Sequence, residues 1–245
     1  MKFKGLIQIV QFNKHFYLGA LTLIFLLLAK IPVWEGLIDF LAKVALFTLV
    51  YFVISSMLVS WYIFDYKKIQ NLAYLINFDL NNEGDILNIH AGFDETSERL
   101  NILFSSGKIT ILDFYQEDQH TEKSLQVARK MGANKAASEK ITTAHIPRPN
   151  ESVDYIFLIF SAHEIRNTKE RNAFFQELKR VLKKDGKIIM TEHLCDMANF
   201  LAYGPGVFHF WTEKTWLKCL EQTGMSVKKK LKITPWISSF LIGKS

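Results

Sequence analysis

His163 and Glu164 stand side by side in the loop Phe160-Ser161-Ala162-His163-Glu164-Ile165-Arg166-Asn167, directly after the apolar run Val153 to Phe160. An imidazole beside a carboxylate can serve as a general base. It draws a proton from a hydroxyl or an activated carbon while the carboxylate orients the ring. The same pair could instead cap or hydrogen-bond the helix that follows. Further on, Thr191-Glu192-His193 ends another apolar run with polar groups. His/Glu pairs also suit metals, but no HExxH and no Cys-His spacing accompanies them, so no metal is expected. The chain has 2 cysteines, Cys195 and Cys219. That excludes a disulfide framework and a Cys-rich zinc site, and both read as reduced thiols.

Elements that could position these residues alternate along the chain. Asp85 to Ala91 reads as a strand, Asp94 to Phe104 as a helix, Lys108 to Phe114 as a strand and Thr121 to Met131 as a helix. Lys140 to Thr143 is a brief strand, Val153 to Phe160 a strongly apolar one, and Lys169 to Lys183 an amphipathic helix closed by Lys184-Asp185-Gly186. Lys187 to Glu192 is a strand, and Thr212 N-caps a helix to Thr223. Strands alternating with helices imply a parallel sheet covered on both faces. The ending differs, since Ser226 to Thr234 and Trp236 to Ile242 are separated only by Pro235 and should pair antiparallel. In such sheets ligands lie beyond the carboxyl ends of the strands, where His163 and Glu164 fall and where Thr191-Glu192-His193 ends the next strand.

Upstream the composition changes. The chain has 245 residues, 49% of them hydrophobic, a mean hydropathy of +0.08 and a net charge of +6, which excludes intrinsic disorder. Val44 to Phe64 is an uncharged run of 21 residues. As a helix it would reach about 31 Å, close to the thickness of a bilayer core. Phe16 to Ala29 is also uncharged and extends to Trp34, and Ile31-Pro32-Val33-Trp34-Glu35-Gly36 reads as a tight connection. No small-x-small cleavage site follows, which disfavours a signal peptide. A two-helix membrane hairpin is the expectation, with an amphipathic or buried soluble hairpin as the alternative. Lys2, Lys4, Lys14, Lys67 and Lys68 flank it, which puts both ends and the C-terminal domain in the cytoplasm. The expected divisions are a membrane anchor at 1–64, a connecting amphipathic helix and turn at 65–84, and an α/β domain at 85–245. In the connecting helix Ile69, Leu72, Leu75 and Ile76 form the apolar face. No Arg-rich stripe interleaves with aromatics, so nucleic acid is not an expected partner.

The expected fold class is α/β, a Rossmann-like and mostly parallel seven-stranded sheet with a C-terminal antiparallel hairpin, preceded by two transmembrane helices. Residues 80–245 resemble class I S-adenosylmethionine-dependent methyltransferases. Ile86-Leu87-Asn88-Ile89-His90-Ala91-Gly92 resembles the family's first strand and glycine turn, and Ile111-Leu112-Asp113 its second strand with a terminal acid. Pro147 through Asp154 resembles the loop before the fourth strand. Phe174 through Thr191, containing Glu177-Leu178-Lys179-Arg180-Val181-Leu182-Lys183-Lys184-Asp185-Gly186-Lys187, resembles the helix, turn and strand that follow it. Ile165-Arg166-Asn167 ahead of that helix is similar to the ubiquinone/menaquinone-biosynthesis methyltransferases in particular.

The resemblance implies S-adenosyl-L-methionine as cofactor. It would be held by Asn88, His90, Ala91, Gly92, Asp113, Phe114, Thr142, Thr143, Phe160 and Ser161, with Asp113 accepting the ribose hydroxyls. His163 and Glu164 are then the catalytic candidates, acting on a lipophilic or lipid-linked small-molecule acceptor at the membrane. Asn199 to Trp211, rich in aromatics and turns, could form an acceptor lid, pack on the sheet or touch the membrane. The sequence also departs from the family. An acid is usual where Asn88 stands, glycines where His90 and Asp94 stand, and an acid for adenine near Thr142 or Thr143. These departures leave open a relict fold acting as a membrane scaffold. A nicotinamide oxidoreductase fits the terminal strand pair poorly.

Overall fold

The computed structural model describes residues 3–30, 33–120, 122–132 and 138–245. Lys2, the Ile31-Pro32 part of the expected connection and Thr121 lie outside them. Two compact units emerge, Met1–Lys68 with Met197–Val207, and Ile69–Asp196 with Phe208–Ser245.

The first unit is helical. α1 (Lys4–Phe12) and α2 (Lys14–Lys30) meet at a 79° bend, and α3 (Gly36–Ser60) continues into a π-helical turn at Trp61–Tyr66. Asn13 closes α1, its side-chain amide donating to the Ile9 carbonyl at 3.0 Å. Asp65 satisfies the other end of α1, accepting from the Gly5 and Leu6 amides at 2.9 and 2.8 Å, where the helix dipole favours a carboxylate. Tyr17 and Ser56 hydroxyls lie 3.3 Å apart and link α2 to α3. α2 buries none of its residues and α3 only Ala42, Val59 and Ser60. Phe16, Phe25, Leu37, Phe40 and Phe47 are all exposed, and such helices present no polar, water-facing side. Gly36–Asn71 is long and apolar enough to cross a membrane, whereas α1 and α2 qualify only if the bent pair is counted as one broken span.

The second unit starts with irregular turns where a connecting α-helix was expected. Ile69–Asn71 and Ala73–Phe78 are 3-10 helical, with left-handed Leu72 and Asp79. The reason is a period of three. Ile69, Leu72, Leu75 and Phe78 are all buried, while Ile76, an expected member of the apolar face, is exposed.

The sheet then forms in the expected rhythm. β1 (Glu83–His90), α4 (Ser97–Leu103), β2 (Ser106–Asp113), α5 (Lys123–Gly132) and β3 (Glu139–Lys140) build one side. β4 (Val153–Ile159), α6 (Thr168–Val181) and β5 (Leu182–His193) build the other. After β5 come α7 (Met197–Tyr203), α8 (Glu213–Gln222), β6 (Met225–Thr234) and β7 (Ile237–Lys244). The seven strands lie in the order β3-β2-β1-β4-β5-β7-β6. β7 runs antiparallel to both β5 and β6, and the remaining pairs are parallel.

Strand order reverses between β1 and β4, which opens a crevice at their carboxyl ends. Leu87, Ile89, Ile156, Leu158, Ile188 and Met190 fill the sheet's core with Phe174, Leu178 and Trp216 from the helices. The expected cap at Thr212 forms, and Asn167 caps α6. Asn167 accepts from the Lys169 and Glu170 amides, and Thr212 from Thr215. The turn expected at Lys184-Asp185-Gly186 is instead the start of β5, accommodated by an irregular register between Val153 and Tyr155.

Candidate active site

At the end of β1 the chain turns through Ala91 and Gly92, the latter at φ +86°, a conformation that favours glycine. A Cβ here would also collide with the Arg129 guanidinium. Asp113 ends β2, fully buried, and the registers of β1 and β2 pair it with His90. One Asp113 oxygen accepts from the Tyr115 amide at 2.9 Å, and the other is held by Lys140 and by Arg129 at 3.3 Å. Arg129 also stacks 4.0 Å from the Tyr115 ring. Burial pushes the pKa of His90 down, so the ring is neutral. Its Nδ1 accepts from the Gly92 amide at 3.0 Å, which leaves the proton on Nε2, a buried atom without a hydrogen-bond partner.

An orphaned donor beside a buried carboxylate, under a glycine turn, suits a ligand carrying hydroxyl and carboxylate oxygens. The residues therefore fit S-adenosylmethionine, given that the long side chains of Lys140 and Arg129 can swing away from Asp113.

Other residues expected around the cofactor have different surroundings. Asn88 donates to Ser97 at 2.7 Å and to Thr96 at 3.1 Å, tying β1 to the start of α4. Ser161 donates to the Ile89 carbonyl at 2.9 Å and ties the end of β4 to β1. Phe114 packs in the core against Phe174 and His120. Thr142 is exposed and bridges His145, while Thr143 is buried and donates to Glu170 at 2.8 Å. Phe160 sits at φ +52° with its ring 5.5 Å from that of His193.

His163 and Glu164 lie in a 3-10 turn after β4 and are buried. Since Asn167 caps α6, their carboxylate and imidazole are free of that task. Glu192, at the end of β5, grips His163. Its Oε2 lies 2.6 Å from Nδ1, and its Oε1 accepts the His163 amide at 3.3 Å. On the opposite edge of the ring, Nε2 lies 3.3 Å from Glu164 Oε1, and His209 Nε2 approaches the same oxygen at 4.0 Å. Glu122 lies 3.5 Å from His209 Nδ1.

Burial alone would drive His163 toward its neutral form. The two flanking carboxylates outweigh it and raise the pKa to about 10. Burial works the other way on Glu164, but the His163 bond and charge hold its carboxyl below the usual range. Glu164 Oε2 is left buried with no hydrogen-bond partner. Phe210 stacks on His193 at 4.8 Å and stands edge-on to His163 at 6.1 Å. Arg166 straps this wall in place, donating to the His209 carbonyl at 2.5 Å and lying over the Trp211 ring.

Two carboxylates therefore flank the ring, Glu164 at Nε2 and Glu192 at Nδ1, where the sequence suggested Glu164 alone. Glu192 was visible as a polar strand end. Its partnership follows from the parallel register that sets Ile159 beside Thr191. Nothing in the local sequence marks Glu122. The ligand atoms of His163, Glu164 and His209 also lie within 4.8 Å of one another, close enough for a cation to bridge.

Residues 92–190 match a family described as a methyltransferase domain. No curated protein matches the chain. Among solved structures, a S-adenosylmethionine-dependent methyltransferase from Aquifex aeolicus is 22% identical, with a TM-score of 0.54 over 70% of this chain and 88% of that one. The mitomycin 7-O-methyltransferase is 12% identical (TM-score 0.55), covering 82% of this chain and 58% of its own. An O-methyltransferase from neocarzinostatin biosynthesis, in complex with S-adenosylmethionine and 2-hydroxy-5-methyl naphthoic acid, is 11% identical (TM-score 0.51) with the same coverages of 82% and 58%. The chain spans little more than half the length of these last two, and at such identity the likeness shows the fold.

Proposed function

We propose that this chain, whose α/β unit is a methyltransferase domain of the S-adenosylmethionine-dependent class, methylates a hydroxyl on a lipophilic or lipid-linked acceptor at a membrane. The observation that carries the reading is the buried His163, gripped by Glu192 at 2.6 Å, beside a Glu164 oxygen with no partner.

S-adenosylmethionine, when bound, supplies an electrophilic methyl group on a sulfonium. Asp113, His90 and the Gly92 turn would hold it. What remains for the protein is to align the acceptor and take its proton. The acceptor hydroxyl donates to Glu164 Oε2, and the His163 imidazolium stabilises the oxyanion as the proton leaves. Glu192 keeps the ring aligned, and Phe210 and Trp211 supply apolar wall. This assigns His163 an electrostatic role in the proton transfer, because its raised pKa keeps it charged at neutral pH. The charged ring carries a proton on both nitrogens, so Glu164 is the group that takes the acceptor's proton.

The anchor supports the lipophilic acceptor. A catalytic domain tethered by apolar helices meets a membrane-dissolved substrate at raised local concentration. Lysines flanking the helices favour a cytoplasmic α/β domain and two spans, with 1–64 as anchor, 65–84 as connection and 85–245 as catalytic domain.

The test is transfer of a labelled methyl group from S-adenosylmethionine into membrane lipids by the full chain in vesicles. Label should enter the lipid fraction with the parent protein and not with His163→Ala. A soluble acceptor turning over in its place would refute the lipophilic class.

A second reading, a scaffold that has lost its cofactor, is favoured by the Lys140 and Arg129 side chains lying on Asp113. It predicts a folded chain that fails to bind S-adenosylmethionine at millimolar concentration.

A further inference from the structure

The chain from Met197 to Trp211 contains no Asp, Glu, Lys or Arg. Its first part, residues 197–207, belongs to the helical unit. α7 packs along α3: Tyr51 and Ser55 donate to the Leu201 carbonyl at 3.1 and 3.3 Å, and Ser55 also donates to the Ala202 carbonyl at 2.6 Å. The Phe52 ring meets Phe200 edge-on at 6.1 Å. Gly204, at φ +56°, lets the backbone come so close to Phe52 that a Cβ would stand 3.0 Å from the ring. Asn199 and Ala202 are the buried residues of α7. Met197, Phe200 and Leu201, spaced i, i+3 and i+4, form one apolar edge, and Met197 and Leu201 are 71% and 51% exposed.

We infer that this edge of α7 is a membrane-contact surface beside α3. The inference rests on the membrane reading of the hairpin and extends it to a segment far away in sequence. α7 packs against Tyr51 to Ser55, inside the uncharged run Val44 to Phe64 that is long enough to span a bilayer core. An exposed apolar helix edge carried on a lipid-facing helix, within an uncharged stretch, has the chemistry of a bilayer contact.

α7 is flanked in the chain by two ends of the active site, Glu192-His193 before it and His209-Phe210 after it.

The test is the depth of single spin labels on the full chain in vesicles of phosphatidylcholine and phosphatidylglycerol, with Cys195→Ser and Cys219→Ala as background. Labels at Phe47→Cys, Leu201→Cys and Leu217→Cys all replace exposed side chains. At positions 47 and 201, collisions with oxygen should exceed those with a water-soluble nickel complex severalfold relative to position 217. Lipid contact at 47 with water contact at 201 would overturn the inference and leave the anchor standing. Water contact at both would overturn the membrane reading as well.

Discussion

At the carboxyl ends of β1 and β2, the buried Asp113 is held by side chains that water reaches, Lys140 at 58% and Arg129 at 24% exposure. At the ends of β4 and β5, His163, Glu164 and Glu192 hold one another at 9%, 8% and 0% exposure. The first arrangement is exchangeable. A ligand's hydroxyls can displace two long cationic chains into solvent at little cost. The second is fixed, because removing one member leaves a buried charge without its partner. A cofactor that must enter and leave at each turnover suits the exchangeable half, and an acceptor site that must keep its proton in place suits the fixed one.

The strongest way to break this contrast is in the fixed half. His163→Ala should lower methyl transfer by about 10²–10³-fold, the usual worth of a positioned group that stabilises developing charge. It should leave S-adenosylmethionine binding unchanged by calorimetry. Equal losses in both would show that the two halves are one site. Next comes the exchangeable half. Asp113→Ala should weaken cofactor binding by about 1–3 kcal/mol, roughly 5- to 150-fold. Unaltered affinity would remove Asp113 from the cofactor's contacts.

A smaller effect with the opposite sign sharpens the contrast further. Lys140→Gln should tighten cofactor binding by up to about fivefold, since an ion pair whose cation is exposed to solvent is screened to about 0–1 kcal/mol. Weaker binding would make Lys140 a ligand contact instead of a competitor.

A further expected effect is on stability against pH. The folded pKa of His163, about 10, lies above its ordinary value of 6.5. Its contribution is therefore complete below pH 6.5, declines as pH rises and is lost above about 10. Glu164 has a depressed pKa, so its share is present at and above the ordinary carboxylate range and is lost in acid. The thermal-unfolding gap between the parent and His163→Ala should accordingly shrink between pH 6.5 and 10. A constant gap would contradict the charged ring.

Much of the sheet was legible because its strands are apolar runs bounded by turns, and the antiparallel ending followed from Pro235 alone. The strand end at Asp113 and the turn at Gly92 were legible for a similar reason, as each sits at the edge of a run whose type was clear. What escaped depends on contacts across the chain. Ile69, Leu72, Leu75 and Phe78 fit both a helical and a 3-10 spacing, and only burial of Phe78 in place of Ile76 decides between them. Glu192 meets His163 through strand register, a relation that local sequence does not express. Asn88 looked like part of the cofactor turn, yet its amide is engaged by Thr96 and Ser97. The aromatic stretch from Asn199 to Trp211 was open between lid, packing and membrane contact. It divides, with residues up to Val207 in the helical unit and Phe208 onward in the α/β unit.

The most direct test of the central claim is equilibrium binding of S-adenosylmethionine to the full chain in vesicles, followed in the same sample by transfer of its labelled methyl group. The account predicts saturable binding, with label passing into the lipid fraction and transfer lost in His163→Ala. Binding without any transfer to membrane lipids, or no binding by the folded chain, would contradict it.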